Sequence, residues 1–261
     1  MEVIVQPTYE SMSRAAAQEV VSVLNAKPDA GIGLAPGSPP LGLYQELVRL
    51  HREEGLDFSQ VRTFNLDEYV GLSIHHPQSY HHFMHENLFQ HINIPPQNIY
   101  IPSGTTSNYR AFCEWYEQQI KDCGGIDLQV LGIGSDGHIA FNEPTSSLGS
   151  RTRLKTLAES TINDNARFFD NRKDVPIYAI TMGVGTILEA RQIIMLANGR
   201  NTATAIARAV EGPITSMITA SALQWHPLTR VYLDEEASGE LMMRDYYNWI
   251  QEKKPDSPQS C

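Results

Sequence analysis

The sequence has few cysteines and no long apolar run. Its three cysteines, Cys113, Cys123 and Cys261, form no Cys-x-x-Cys pair, which argues against a disulfide framework, a cysteine zinc site or a redox dithiol. No segment approaches the about 20 apolar residues that a membrane helix needs. The first residues, MEVIVQPTYESMSR, lack the basic-then-apolar order of a signal peptide. We therefore expect a cytoplasmic protein with free thiols and no membrane partner.

Positive charge is also scarce. Lysine and arginine number 20 against 30 for aspartate and glutamate, a formal net charge of −10 at pH 7. Such a surface repels a phosphate backbone, so nucleic acid is not an expected partner. An anionic substrate would have to be bound by a local pocket rather than steered by the overall field. Apolar residues make up 41%, which excludes disorder for the chain as a whole.

Short β-branched runs alternate with longer helical patterns along most of the chain. The predicted strands are 2–5, 31–35, 61–65, 99–102, 126–134, 177–182, 192–197 and 231–234. The predicted helices are 9–26, 41–53, 79–90, 108–123, 186–190, 202–210, 216–224 and 237–251. Strands that are apolar on both faces are typical of a parallel sheet covered on both sides. The pattern predicts an α/β fold, a doubly wound, mostly parallel sheet with helices on both faces.

The chain has no repeat, linker or break in composition, so we expect a single domain over residues 1–252. The polar, proline-containing tail 253–261 is expected to be disordered. Residues 146–175 are polar and lack clear periodicity, which is typical of a lid or binding loop. In a sheet of this kind ligands bind beyond the carboxyl ends of the strands. Ligand-binding and catalytic residues are therefore expected just after Ala35, Asn65, Gly134 and Ala197.

The first of these segments, LAPGSPPL (34–41), combines a strand end, a tight turn and a helix start. Ser38 suits the N-cap and the prolines suit the first helical turn. Free amides at such a helix start can bind an anion. An ordinary capped turn would have the same residues, and the turn alone does not separate the two interpretations.

The second segment, TFNLDEY (63–69), places Asp67 beside Glu68 after an apolar strand. Acids at this point could begin a helix, whose dipole favours negative charge. Alternatively, a carboxylate at the end of a strand and next to another acid could have a raised pKa and act as a general base.

The third segment, GIGSDGHIAFNEP (132–144), contains the letters GxGxxG. A dinucleotide fingerprint needs a helix that starts within the glycines, and Pro144 leaves no room for one. We interpret Asp136, His138 and Glu143 instead as an acid–base group, because carboxylates fix the tautomer of a histidine and raise its pKa. A surface histidine near incidental acids is the alternative.

A histidine-rich segment (74–86) holds five of the nine histidines. His81 and His85 are four residues apart and could share a helix face, but neither HExxH nor HxxEH is present. A solvated helix face is the favoured interpretation, and no metal site is expected.

Taken together, the motifs resemble those of the glucosamine-6-phosphate deaminase family over residues 1–250. The resemblance rests on TFNLDEYVGL (63–72), SYHHFMHENLF (79–89), GIGSDGHIAFNEPTSSLGSRTR (132–153), ARFFDN (166–171), VEGPIT (210–215) and LQWHP (223–227). The related 6-phosphogluconolactonases share the fold but differ at the DEY and DGHIAFNEP segments. The resemblance implies conversion of glucosamine 6-phosphate and water to fructose 6-phosphate and ammonia, with neither metal nor organic cofactor.

The resemblance also assigns roles to single residues. It implies that Asp67 is the base at the sugar C2, and that His138, set by Asp136 and Glu143, moves protons during ring opening. The implied phosphate contacts are Gly37, Ser38, Arg167 and Arg200. Three positions depart from the family pattern. Pro36 and Pro39 stand where threonine or serine is usual, and Thr202 stands where lysine is usual. Arg200 could substitute for that lysine, because a guanidinium binds phosphate well.

Hexameric members of the family bind N-acetylglucosamine 6-phosphate as an activator at a subunit interface. The positions that match this site are Ser146, Ser147, Arg153 and Lys155. Their alternative role is to support the lid loop. Two other functional classes stay open: an enzyme of the same fold that acts on another substrate, such as an unphosphorylated amino sugar or a sugar-phosphate lactone, and a non-catalytic sugar sensor. A sensor would usually carry a DNA-binding segment, which this acidic chain lacks.

Overall fold

A central sheet of seven parallel strands organises the computed structural model, which describes residues 1–254. The described residues form ten strands, which are β1 (Glu2–Gln6), β2 (Gly31–Leu34), β3 (Arg62–Asn65), β4 (Asp67–Tyr69), β5 (Ile99–Tyr100), β6 (Leu128–Leu131), β7 (Arg153–Thr156), β8 (Tyr178–Thr181), β9 (Gln192–Ala197) and β10 (Thr229–Asp234). The strand order of the large sheet is β1-β10-β9-β6-β2-β3-β5.

Helices cover both faces of this sheet. They are α1 (Tyr9–Ala26), α2 (Leu41–Glu54), α3 (Tyr80–Asn87), α4 (Tyr109–Asp122), α5 (Glu159–Asn165), α6 (Val184–Leu188), α7 (Ala203–Val210) and α8 (Arg244–Glu252). Their ends follow local chemistry: a capping box between Thr8 and Ser11 starts α1, and Gly55 ends α2 with a φ of 75°.

Successive residues of β9 belong to two different cores. Ile194 and Leu196 pack with the buried side chains of α1 and α2, whereas Ile193 and Met195 pack with those of α4, α6 and α7. Every residue of β9 after its first is buried. A strand covered on both sides has to be apolar on both sides. The doubly wound, mostly parallel sheet and the single domain predicted from the sequence are confirmed.

A second, antiparallel sheet was not predicted. Its strand order is β4-β8-β7. The predicted strand 177–182 belongs to this sheet and not to the large one. The segment 146–175, expected to lack regular structure, contains β7 and α5. Two helix predictions also need correction, because 3₁₀ turns replace the α-helix expected at 216–224 and α8 starts at Arg244 rather than at 237.

The expected disordered tail falls largely on residues 255–261, which lie outside the described residues. The domain limit at 252 therefore stays a prediction. Within residues 1–254, no helix is long and apolar enough to cross a membrane.

Candidate active site at the junction of the two sheets

Asp67 lies where the chain passes from the large sheet to the small one. The linking residue, Leu66, donates its amide to Leu34 of β2 and accepts from Met182, which follows β8. The Asp67 side chain is 4% exposed, and its Oδ1 has no hydrogen-bond partner among residues 1–254. Burial, assisted by the charge of Glu68, raises the pKa of Asp67 to about 8 although His138 acts in the opposite direction. A base of this kind can take up a proton near neutral pH.

Glu68 is buried on the opposite face of β4 and contacts the start of α3. Its carboxylate accepts hydrogen bonds from the amides of Tyr69, Tyr80 and His81, at 2.8–3.0 Å. The ring Nδ1 of His81 lies 2.9 Å from the same carboxylate. Asp67 and Glu68 thus lie in a strand, and the alternative that they start a helix is wrong. No local sequence pattern indicated the contact with α3, twelve residues further along the chain.

His138 lies between two carboxylates. Its Nδ1 is 2.7 Å from Oδ1 of Asp136, at an angle outside hydrogen-bond geometry, and 3.7 Å from Oε2 of Glu143. Burial alone would lower the pKa of His138, but the two carboxylates, Asp136 foremost, raise it above its ordinary value. Burial likewise acts against ionisation of Asp136, and the neighbouring His138 outweighs it and lowers the Asp136 pKa. The arrangement favours a protonated imidazole that can release a proton.

The loop that carries His138 is held in a tight conformation. A Cβ on Gly134 would lie 2.4 Å from Cε1 of the His138 ring, so the ring needs a glycine at this position. Ala140 and Thr145 have φ values of 49° and 74°, which is uncommon for alanine and strained for threonine. No helix begins within the GxGxxG letters, so the context of a dinucleotide site is absent from this loop.

Asn142 fixes this loop and was missed in the sequence. Its Nδ2 donates to the carbonyls of Ile139 and Met182, and its Oδ1 accepts from Arg153. Glu143 Oε1 accepts from the amide of Ala158, just before α5. The sequence alone does not indicate this role, because two of the three groups that Asn142 contacts, Met182 and Arg153, lie far from it in the chain.

Asp136, His138 and Glu143 also have the composition of a cation site. Their ligand atoms lie within 4.8 Å of one another. However, two ligands of a tetrahedral zinc ion at about 2.0 Å are separated by roughly 3.3 Å, and the Asp136–His138 contact is 2.7 Å. His138 is already in direct contact with Asp136, and Glu143 lies 3.7 Å from the same ring nitrogen. The geometry favours proton transfer over metal binding, and the absence of a metal stays a prediction.

The expected phosphate loop follows β2. Gly37 has a φ of 110°, and the amides of Gly37 and Ser38 donate no hydrogen bond within residues 1–254. The prediction that Ser38 caps α2 is wrong, because the cap residue is Pro40 and no side chain caps the helix. The hydroxyl of Tyr9 donates to the Ser38 carbonyl and accepts from the amide of Gly42. Two amides, rather than the whole helix start, are therefore available to an anion.

The other expected phosphate residues lie at different places on the fold. Arg200 is exposed and begins the 3₁₀ turn three residues after the end of β9, so it shares the carboxyl edge of the large sheet with Gly37. Thr202 is buried, and its hydroxyl donates to the carbonyl of Gly199 at 2.9 Å. Arg167 is exposed in a 3₁₀ turn after α5, with its guanidinium 4.7 Å from the centre of the Phe168 ring. Each of these phosphate assignments stays a prediction.

Of the four expected activator residues, Arg153 and Lys155 lie on β7, whereas Ser146 and Ser147 lie in the loop that precedes it. Arg153 and Lys155 alternate along this strand and therefore share a face. Ser146 is buried, and its Oγ is unpartnered among the described residues, whereas Ser147 is exposed. In the histidine-rich segment, His81 contacts Glu68 and the exposed His85 contacts Glu86.

The fold and the site define an α/β protein with a cluster of carboxyl groups and a histidine at the carboxyl edge of a parallel sheet. The family model of glucosamine-6-phosphate isomerases and 6-phosphogluconolactonases matches residues 6–237. The chain belongs to this family, as its motifs indicated.

Relatives at high identity cover almost the whole chain. It is 49% identical over 255 residues to the glucosamine-6-phosphate deaminase of Arthrobacter sp. (strain FB24), covering 98% of each chain. It is 50% identical over 251 residues to that of Hahella chejuensis, covering 96% of each. A solved structure described as a monomeric glucosamine-6-phosphate deaminase has a TM-score of 0.90 and 44% identity, over 92% of this chain and 100% of that one.

The 6-phosphogluconolactonase of Trypanosoma brucei shares the fold at a TM-score of 0.74 and 22% identity, over 92% of this chain and 98% of that one. At this identity the likeness concerns the fold alone.

Proposed function

We propose that the protein converts glucosamine 6-phosphate and water to fructose 6-phosphate and ammonia. The observation that carries this proposal is the pairing of a buried, basic Asp67 with a His138 held between Asp136 and Glu143. A carbonyl isomerisation needs one base for the C–H proton and one relay for the oxygen protons, and this site offers both. Relatives that are 49% and 50% identical to this chain, matched over 98% and 96% of their length, are named glucosamine-6-phosphate deaminase.

His138 serves the first step, the opening of the sugar ring. The ring oxygen must gain a proton while the C1 hydroxyl loses one. The two carboxylates lie on the Nδ1 side of the imidazole, and Nε2 has no hydrogen-bond partner among residues 1–254. Nε2 is therefore the nitrogen suited to exchange protons with the substrate. Asp136 and Glu143 stabilise the imidazolium that exists while the proton is held.

Asp67 serves the second step, the transfer of a proton from C2 to C1. Its carboxylate removes the C2 proton, the C2–H electron pair forms a C1–C2 double bond, and the π pair of the C1 carbonyl moves onto O1, which takes up a proton. Asp67 then delivers the C2 proton to C1, while the lone pair of the amine forms a double bond to C2. The amine nitrogen is now attached to an sp² carbon as an iminium group. Water adds to this carbon and ammonia leaves, so the equation balances with one water consumed.

The phosphate would be bound by the two free amides at Gly37 and Ser38 together with Arg200 and Arg167. A phosphate dianion has to meet cations or amides when it leaves water. One observation favours a second candidate, an unphosphorylated amino sugar. The usual lysine is replaced by Thr202, whose hydroxyl is already used within its own turn.

We further propose that the protein assembles into a hexamer and that N-acetylglucosamine 6-phosphate activates it. Arg153 and Lys155 on one face of β7 support a binding site for an anion. The solved relative described as monomeric supports the opposite view of assembly. Sedimentation velocity with and without the sugar phosphate, combined with initial rates, separates the two.

Ammonia release from glucosamine 6-phosphate, from free glucosamine and from galactosamine 6-phosphate tests the proposed function. We expect release from the first substrate, with fructose 6-phosphate formed in equal amount. Hydrolysis of 6-phosphogluconolactone is measured in parallel. Turnover of the lactone without ammonia release would replace the deaminase proposal, and equal turnover of free glucosamine would select the second candidate.

A further inference from the structure

Glu68 is buried next to the base, yet the proposed reaction gives it no role. Its side chain is 1% exposed. Both carboxylate oxygens accept hydrogen bonds: Oε1 from the amides of Tyr69 and Tyr80, and Oε2 from the amide of His81. The His81 ring contacts Oε2 as well. A carboxyl group surrounded by N–H donors has no acceptor for a proton of its own, so this arrangement fits the anion.

The start of α3 strengthens this preference for the anion. Tyr80 and His81 are the first two residues of α3, which begins after Ser79 and has eight residues. Unpaired amides and the helix dipole favour a negative charge at this point. The groups that stabilise the negative charge of Glu68 therefore lie on the α3 side of β4. Asp67, the preceding residue, projects to the other face and has no donor of comparable kind on its buried Oδ1.

We propose that Glu68 is a positioning residue for the base: its carboxylate, fixed as an anion by α3, holds negative charge against Asp67 and so makes Asp67 the stronger proton acceptor. The proposal rests on the proposed function for the role of Asp67, but the electrostatic coupling can be measured without turnover. It explains why two acids stand side by side in a buried strand although only one is needed for proton transfer.

Other groups around Asp67 do not supply the same charge. The ionisable side chains that act on Asp67 or respond to it come from α2, β4, α3, α4 and the loop after β6. They are Tyr44, Glu68, Tyr69, Tyr80, Tyr116 and His138. Burial raises the pKa of each tyrosine above 10, so these groups are neutral at working pH. His138 acts in the opposite sense to Glu68.

Glu68→Gln is the direct test, because it removes the charge and keeps the size. A base must be deprotonated to work, so a lower Asp67 pKa moves the acid limb of the kcat/KM profile to lower pH. We expect a shift of about one pH unit, the scale on which a neighbouring charge moves a carboxyl pKa. A purely structural role for Glu68 would lower the rate at every pH and leave the limb in place.

His81→Lys covers the case in which Glu68→Gln does not fold. The His81 side chain is 27% exposed, so a lysine can reach Glu68 while it remains partly in solvent. Its full positive charge should offset Glu68 and move the acid limb in the same direction, by less than in Glu68→Gln. His85→Lys adds the same charge one turn further along α3 at an exposed site, and is the matched control.

The ionisation of Asp67 is read in parallel from the carboxyl ¹³C signal that disappears in Asp67→Asn. This readout separates the two proposals. Absence of ammonia release by the unaltered protein overturns the proposed function, while a lower Asp67 pKa in His81→Lys still supports the coupling. An Asp67 signal that titrates at the same pH in the unaltered protein, His81→Lys and His85→Lys overturns the role of Glu68.

Discussion

The imidazole of His138 packs against the bare Cα of Gly134: a methyl group there would lie 2.4 Å from Cε1 of the ring. The two residues are also joined through the backbone, because the Gly134 amide donates to the His138 carbonyl at 2.9 Å. Because residue 134 has no side chain, the His138 ring can occupy the position in which its Nδ1 contacts Asp136 and approaches Glu143. The position of the proposed proton relay thus depends on the absence of a side chain at Gly134, four residues earlier.

Gly134→Ala should displace the His138 ring and reduce kcat/KM by about 10²-fold or more, the contribution of one positioned acid–base group. Gly149→Ala is the matched control. The nearest atom that its methyl group would meet is Ser147 Oγ at 3.9 Å, an ordinary van der Waals distance. Steady-state rates of the two variants are compared. Equal rates would show that the ring position tolerates this displacement.

Asp67→Asn should abolish exchange of solvent deuterium into the sugar, because an amide cannot accept the C2 proton. It should also change stability in a pH-dependent way. The folded-state pKa of about 8 exceeds the ordinary value of 3.8, so the folded protein binds the extra proton and loses stability as pH rises between these values.

Thermal unfolding of Asp67→Asn at pH 4.5 and pH 8 checks this stability effect. The variant should gain in Tm relative to the unaltered protein at pH 8 and gain little at pH 4.5. Asp29→Asn, at a side chain that is 57% exposed, is the control. The same Tm difference at both pH values would mean that Asp67 does not titrate in this window.

His138→Gln should slow the turnover of the closed sugar ring more than any later step. The reason is that a neutral amide between Asp136 and Glu143 cannot relay a proton to the ring oxygen. Formation of glucosamine 6-phosphate from fructose 6-phosphate and ammonia gives the comparison, since the open ketose is more accessible. His75→Gln, at an exposed histidine, serves as control. Equal losses in ring opening and in hydrogen exchange would reject this division of roles.

Arg200→Ala should raise the KM for glucosamine 6-phosphate about tenfold or more, the value of one charged hydrogen bond. Thr202→Lys in the Arg200→Ala background should recover part of the loss if this position faces the phosphate. Arg110→Ala, at a side chain that is 89% exposed, controls for the loss of one positive charge. An unchanged KM in Arg200→Ala, with free glucosamine turned over equally well, would show that the site does not use the phosphate.

Prolonged dialysis against a chelator should leave kcat unchanged, because Asp136 and His138 already pair directly at 2.7 Å. Elemental analysis of the dialysed protein completes the measurement. Loss of activity that zinc or magnesium restores would instead assign the three residues to a metal.

The large sheet could be predicted because its strands are apolar on both faces and spaced by helices of ordinary length. The small sheet could not. Its strand β4 has three residues, two of them acidic, and β7 alternates exposed and half-buried side chains in the sequence RLKT. Strand pairing between β4 and β8 joins residues about 110 positions apart, a separation that no local pattern encodes.

The sequence singled out Asp136, His138 and Glu143 because they stand together after a strand, and Asp67 because it follows another; their acid–base roles stay predictions. The start of α2 at Leu41 agrees with the predicted helix 41–53, but its cap was predicted wrongly, because Ser38 fits an N-cap by type whereas the cap residue is Pro40. The contact between Glu68 and α3 depends on the fold of an intervening loop, so the sequence showed two acids but not their different surroundings.

The proposed base and the proposed proton relay are attached to different sheets. Asp67 opens β4 of the small sheet, while His138 is carried by the loop that leaves β6 of the large one. The distance between Asp67 and His138 therefore depends on how the two sheets are placed relative to each other. Hydrogen bonds of Leu66 and Asn142 fix this placement at two points. A displacement of about 1 Å between the two sheets would leave every strand intact and the circular dichroism spectrum unchanged. It would nevertheless separate Asp67 from His138 and so lower the rate.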